Sequence, residues 1–255
     1  MARRLGESRF ALTVWARRPQ STAPFEDLAE VAPSPAALGA ASDVVGICVM
    51  GDADVEEVVL RDDGVLAGMA PGGVIAIHST VHPDTCRALA ARAAGVGVDV
   101  LDAPVSGGGV AAAAGSLLVM VGGSDEATAR CRPVFETFGN PVVHLGPVGS
   151  GQMAKLINNL VFTAQLSMAL ETFALGEDLG MDKIALGDLL SHGTGASRAL
   201  AILTASGVDL SGLRAHGHTL RKDVALARDV AHQHGATEPA LLLEGALQAL
   251  SLLER

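Results

Sequence analysis

GSGQMAKLINN, residues 149–159, divides this sequence into two kinds of chain. Ahead of it, short apolar runs alternate with helix-like stretches; behind it, strand-like alternation does not return. From Gln152 to Glu177 there is no proline, and the run reads as one long helix of about 40 Å at 1.5 Å per residue. Its apolar residues, among them Leu156, Ile157, Leu160, Val161, Met168 and Phe173, wrap much of the circumference, so it is expected to be buried nearly all round. Lys155 and Asn159 are four apart and fall on one helical face. A lysine partly desolvated there can exchange a proton near neutral pH, and Asn159 can orient a substrate hydroxyl. Taken alone, the segment fits a snorkelling lysine and a capping or core amide better, since lone lysines usually lie at surfaces.

Ahead of Gly149 the apolar runs 10–15 (FALTVW), 43–50 (DVVGICVM), 74–77 (VIAI), 98–103 (VDVLDA), 117–121 (LLVMV) and 142–145 (VVHL) read as strands. Helical stretches are expected at 54–60, 83–94 and 125–138, the last capped by Ser124. Strands alternating with helices predict a largely parallel sheet, with chemistry at the strands' carboxyl ends. Residues 1–148 are thus expected to form one α/β domain. Residues 149–255 are expected to form an all-helical one, with breaks near 193–195, 207–217 and 235–239.

Two strand ends carry candidate chemistry. Asp102-Ala103-Pro104-Val105-Ser106 runs into Gly107, Gly108 and Gly109, where bare backbone N–H groups can grip an anion. A plain tight turn fits the same spacing. Trp15-Ala16-Arg17-Arg18-Pro19 places two guanidinium groups where a phosphate can be held bidentately, though a solvated basic turn reads the same way. Lys222-Asp223 opens a late helical run and, alone, reads as a surface ion pair.

Composition excludes several classes. A formal charge of −10 argues against general nucleic-acid binding, which needs clustered Lys and Arg. The eight histidines and three cysteines (Cys48, Cys86, Cys131) show no metal-ligand spacing, so no metal is expected and the cysteines read as reduced structural thiols. A reducing cytoplasm fits them. No apolar run is long enough to span a membrane, and MARRLGESRF lacks the apolar core of a secretory signal.

In this order the segments resemble the β-hydroxyacid dehydrogenase family, that of 3-hydroxyisobutyrate dehydrogenase and tartronate semialdehyde reductase. LTVWARRP is similar to its second strand with the adenosine-phosphate turn, and ASDVVGICVM to its third core strand. HSTVHP resembles the segment flanking the nicotinamide, DAPVSGG the substrate-binding signature, GSGQMAKLINN the catalytic helix, and RKDVALA the later Lys-Asp motif. The resemblance implies a Rossmann-like sheet followed by an all-α domain, and hydride transfer between NADP(H) and a small 3-hydroxy acid or its semialdehyde. It implies Lys155 as general acid/base. Ser106, Gly107 and Gly108 would hold the substrate carboxylate, and Asn159 would position the substrate. Val49, Met50 and Thr80 would line the cofactor, Lys222 would reach it or the substrate, and Arg17 and Arg18 would meet a 2′-phosphate, which favours NADP over NAD.

The sequence departs from the pattern at its start. MARRL resembles the middle of the helix after the pyrophosphate loop, so the first strand and its G-x-G-x-x-G loop are absent. The sheet is therefore expected to be truncated at its N-terminus, with two strand edges open. At the other end, Arg255 falls inside a helical pattern. Two alternatives stay open: a non-catalytic relic acting as an oligomerisation or interaction module, and an imine reductase, a class generally without the catalytic lysine. The apolar long helix, starting near Gly151, predicts a homodimer built around it.

Overall fold

The computed structural model describes residues 1–254; Arg255 lies outside the described residues. Among the described residues eight strands form: β1 (Thr13–Val14), β2 (Glu30–Val31), β3 (Val44–Ile47), β4 (Val74–Ile77), β5 (Asp99–Asp102), β6 (Val105–Ser106), β7 (Leu117–Val121) and β8 (Gly139–His144). Between and around them lie α1 (Ala2–Gly6), α2 (Pro35–Ala40), α3 (Asp52–Leu60), α4 (Val65–Gly68), α5 (Pro83–Ala94), α6 (Gly108–Ala114) and α7 (Asp125–Phe135). The rest is helical: α8 (Ser150–Asp178), α9 (Lys183–Ser191), α10 (Arg198–Ala205), α11 (Ser211–Arg214), α12 (Gly217–Gln233) and α13 (Ala240–Leu253). The chain divides into two units, Met1–Lys155 and Leu156–Arg255, the division falling inside α8.

In the first unit, β4 is the buried centre. It pairs in parallel with β3 and with β5. Its alternating side chains feed two cores. Ile75 and Ile77 pack with Val45, Val55, Val58 and Leu89, while Val74 and Ala76 pack with Leu101, Val119, Phe135 and Phe138. A strand covered on both faces explains why VIAI shows no polar alternation.

The strands do not form one continuous sheet. They divide into β1–β2, β3–β4–β5 and β6–β7–β8, the last two linked by a bridge between Asp102 and Gly122. The β6–β7 pair is antiparallel, a departure from the parallel expectation: the chain runs on from the end of β5 through Pro104, in one antiparallel register from the Asp102–Gly122 bridge to Ser106 opposite Leu118. The expected strand at 10–15 contracts to two residues. Its partner β2 is equally short, so only two ladder positions exist. β1 and β3 both line a cavity of about 260 Å³ with Trp15, His78, Phe135 and Phe138. Among the described residues neither strand has a partner on that side, which fits the two expected open edges.

Helix α7 starts where expected, with Ser124 Oγ accepting the Ala127 N–H at 3.1 Å, but ends at Phe135. Helix α8 runs for 29 residues, close to the expected span. The expectation of burial all round needs correction. Leu156, Leu160, Leu166 and Phe173 are buried, yet Ile157, Met168 and Leu175 are each 60% exposed or more. Eleven and eighteen residues separate the last two from the first, which at about 100° per residue leaves all three within roughly 20° of one line. One apolar stripe of the helix therefore lies bare.

Candidate active site

The start of α8 is held by one carboxylate. Asp102, at the end of β5, has no exposed surface; its Oδ1 accepts the Gly149 N–H at 2.6 Å and its Oδ2 the Gln152 N–H at 2.7 Å. These bonds satisfy orphan donors at the helix N-terminus, where a negative charge is also favoured by the dipole. Burial pushes the Asp102 carboxyl upward, and the backbone N–H groups pull it back. The two glycines of the motif have separate causes. Gly149 has φ +97°, which side chains resist. Gly151 lies so close to the Met120 and Asp102 carbonyls that a Cβ would collide with both. This close approach sets the height of the first turns, and with it the place of Lys155, itself buried.

The same strand end leads to the anion loop. Ser106 closes β6, and residues 107–109 are exposed. Gly107 and Gly108 have φ of +126° and +70°, and open space lies where a Cβ of Gly108 or Gly109 would stand. The loop presents bare backbone, as gripping a carboxylate requires. Lys155 and residues 106–108 thus issue from two segments that meet at Asp102.

Four of the six expected cofactor contacts share one cavity of about 580 Å³: Arg17, Arg18, Val49 and Met50. Trp15 and Asp54 line it too. Arg17 is not idle there. Its guanidinium bonds Asp54 Oδ1 at 2.9 Å and Glu57 Oε2, so the cation offered for a phosphate is already shared by two carboxylates. These exposed pairs are weak and exchangeable. Thr80 follows β4, and the segment around it is held by Gln152 and by Ser79, whose Oγ accepts the Val49 N–H at 2.8 Å.

In the second unit, Asn159 Nδ2 donates to Asp223 Oδ2 at 2.6 Å and Asn159 Oδ1 accepts from Asn158 at 3.0 Å. Lys222 pairs with Asp223 Oδ1 at 3.1 Å. Asp223 is 1% exposed, so the pair is not the surface decoration that spacing suggested.

Sequence reasoning missed Asp102, Gln152 and Asp223 as organising residues. Their partners lie 47 to 73 residues away, and nothing local announces them. The one available hint was a set of polar residues inside otherwise apolar elements. His78 was also passed over. It is buried edge-on against Phe135 and Phe138, with Nδ1 2.7 Å from the Ala103 carbonyl. Burial pushes its imidazole down from 6.5 to about 4. All three cysteines are free thiols; Cys48 is exposed, unlike the buried Cys86 and Cys131. Among the described residues, no group of acidic, His and Cys side chains forms a metal cluster, and no helix is long and apolar enough to cross a membrane.

A two-faced sheet with a nucleotide-sized cavity at its strand ends, followed by helices, defines a dinucleotide-dependent class of oxidoreductase architecture. Residues 1–146 match the NAD binding domain of 6-phosphogluconate dehydrogenase, and residues 149–252 match the NAD-binding family of NADP-dependent 3-hydroxyisobutyrate dehydrogenase. The chain belongs to the β-hydroxyacid dehydrogenase family. It is 36% identical over 220 residues to an NAD-dependent L-serine dehydrogenase of Pseudomonas aeruginosa, covering 83% of this chain and 74% of that protein. An uncharacterised oxidoreductase of Mycobacterium tuberculosis is 37% identical over 192 residues, covering 75% of this chain, which spans 65% of that relative. The solved 3-hydroxyisobutyrate dehydrogenase of Mycobacterium tuberculosis, with L-serine, superposes with a TM-score of 0.85 at 28% identity, over 99% of this chain and 89% of that one.

Proposed function

We propose that the protein moves hydride between NADP(H) and a small 3-hydroxy acid or its semialdehyde, with Lys155 as the proton-transfer residue. The observation that carries this is the anchoring of a buried lysine's helix to Asp102, the residue that also leads into the bare backbone of 106–108. When bound, the nicotinamide supplies the hydride acceptor or donor. In oxidation, the amine of Lys155 takes the hydroxyl proton; in reduction, its ammonium returns it to the carbonyl oxygen. Ser106, Gly107 and Gly108 grip the carboxylate, so the reacting carbon is fixed at its far end. Asn159 and Lys222 serve the substrate and the cofactor in the same scheme, both steadied by Asp223. Relatives act on serine, 3-hydroxyisobutyrate and L-threonate by name, which supports a short hydroxy acid as the substrate class.

The cavity holding Arg17, Arg18, Val49 and Met50 fits the nucleotide end of the cofactor: apolar walls for a ring system and guanidinium groups for a phosphate. NADPH titration of the purified chain is expected to saturate. Arg18→Ala should weaken NADPH about tenfold or more and leave NADH within about threefold, since one charge-assisted phosphate contact accounts for roughly 1.4 kcal/mol or more. Tighter binding of NADH than NADPH in the wild type would overturn the cofactor assignment. The engagement of Arg17 by Asp54 and Glu57 favours the second possibility, a non-catalytic module. It is supported if neither dinucleotide binds.

The bare stripe of Ile157, Met168 and Leu175 is assigned to a homodimer centred on α8. Light scattering should give twice the chain mass, and Met168→Glu should shift the population to monomer. A wild-type monomer at tens of micromolar counts against the pairing.

A further inference from the structure

Gln152 lies in the first turn of α8 with no exposed surface. Its carboxamide makes two bonds to one short segment and also meets the Cys86 thiol. Nε2 donates to the Ser79 carbonyl at 2.7 Å, and Oε1 accepts the Val81 N–H at 3.2 Å. Those two backbone groups flank Thr80. The residue's own N–H is bound by Asp102, and Ser79 receives the Val49 N–H on its hydroxyl. A single connected line of hydrogen bonds thus runs from the cofactor-cavity residue Val49, through the Thr80 segment, to the helix of Lys155. Burying a carboxamide has a desolvation cost that an aliphatic side chain of the same volume would not carry. What the aliphatic side chain lacks is a fixed distance: two bonds to one peptide segment hold that segment at one height against the helix.

We propose that Gln152 is a positioning residue. It sets residues 79–81, with Thr80 at their centre, against the turn that presents Lys155 three residues on. It acts through Thr80 and Lys155 and touches neither hydride nor proton. The inference rests on the function proposed above, in which Thr80 lines the cofactor and Lys155 moves the proton. Both must sit in register because misplacement by about 1 Å lowers a rate by about 10²-fold.

Two variants test it. Gln152→Met keeps the volume and removes both bonds. Its kcat should fall by about 30- to 100-fold, with the hydroxy-acid KM and NADPH Kd within about threefold of wild type. Exchange of the Val81 amide in the cofactor-free protein, followed by NMR, should quicken by about tenfold or more. Gln152→Glu is the discriminating variant. Its protonated carboxyl can accept from Val81 and donate to the Ser79 carbonyl, while its carboxylate cannot donate. The Ser79 bond and kcat should therefore be retained at low pH and lost as the buried acid ionises, a step absent from wild type and from Gln152→Met, while Val81 stays protected throughout because the carboxylate still accepts its N–H. A purely space-filling role would show no such step.

Equal Val81 protection in all three proteins overturns the proposal, as does wild-type kcat in Gln152→Met. If the wild type transfers no hydride to any hydroxy acid, the functional assignment falls by itself. The brace is then judged on Val81: protection lost in Gln152→Met and kept in Gln152→Glu supports it, and unchanged protection in Gln152→Met overturns it.

Discussion

Replacing Lys155 with alanine is expected to lower kcat by about 10³-fold, within the range that a positioned acid or base supplies. The loss should appear equally in kcat and kcat/KM, because the amine takes the proton only as the hydride leaves. NADPH affinity should stay within about threefold, since the cavity proposed for the nucleotide end, lined by Arg17 and Arg18, does not include Lys155. The Asp102 bonds at the start of helix α8 are untouched by the substitution, so the variant should melt cooperatively near the wild type. Steady-state turnover with a panel of short 3-hydroxy acids and both dinucleotides measures the effect. Hydride transfer at the wild-type rate would remove Lys155 from the chemistry.

Acidification from pH 6.5 to 4 is expected to cost the first unit up to about 3 kcal/mol through His78 alone. The unfolded imidazole takes a proton below about 6.5, while the folded one resists until about 4. Over that window the unfolded chain binds more protons, so stability rises with pH and is lost as pH falls. The cause is the enclosure of the ring by Phe135 and Phe138, with the Ala103 carbonyl bonded to Nδ1. His78→Asn keeps a donor for Ala103 and cannot titrate. Denaturant midpoints measured from pH 7 to 4 should fall less steeply in that variant. Parallel curves for the two proteins would show that His78 is not linked to folding.

Much of the architecture was legible because the signals are local. VIAI lacks alternation because both faces of β4 are covered, and the proline-free stretch after Gly151 could only be one long helix. The glycines of 149–151 were legible as a motif, though their causes, a positive φ and a collision with two carbonyls, belong to the folded backbone. What stayed hidden is long-range. Asp102 looks like any acidic residue at a strand end until Gly149 and Gln152 arrive from nearly fifty residues away. Asp223 looks like half of a surface ion pair until Asn159 meets it. The division of the sheet was half visible: open edges were expected, while the antiparallel pairing of β6 with β7 was not, since it depends on where β7 lies beside the outgoing end of β5.

The separation of β1 and β2 from the central strands also shapes how the native molecule breathes. Two ladder positions supply few bonds to resist opening, and a two-stranded ribbon has little stability of its own. The central β4, by contrast, is locked by neighbours on both edges and cores on both faces. Local unfolding should therefore be graded along the chain. Residues 13–31 should form the least protected cooperative segment of the first unit, where proteolytic nicking is expected to begin, and β4, which leads into His78, should open only with the whole.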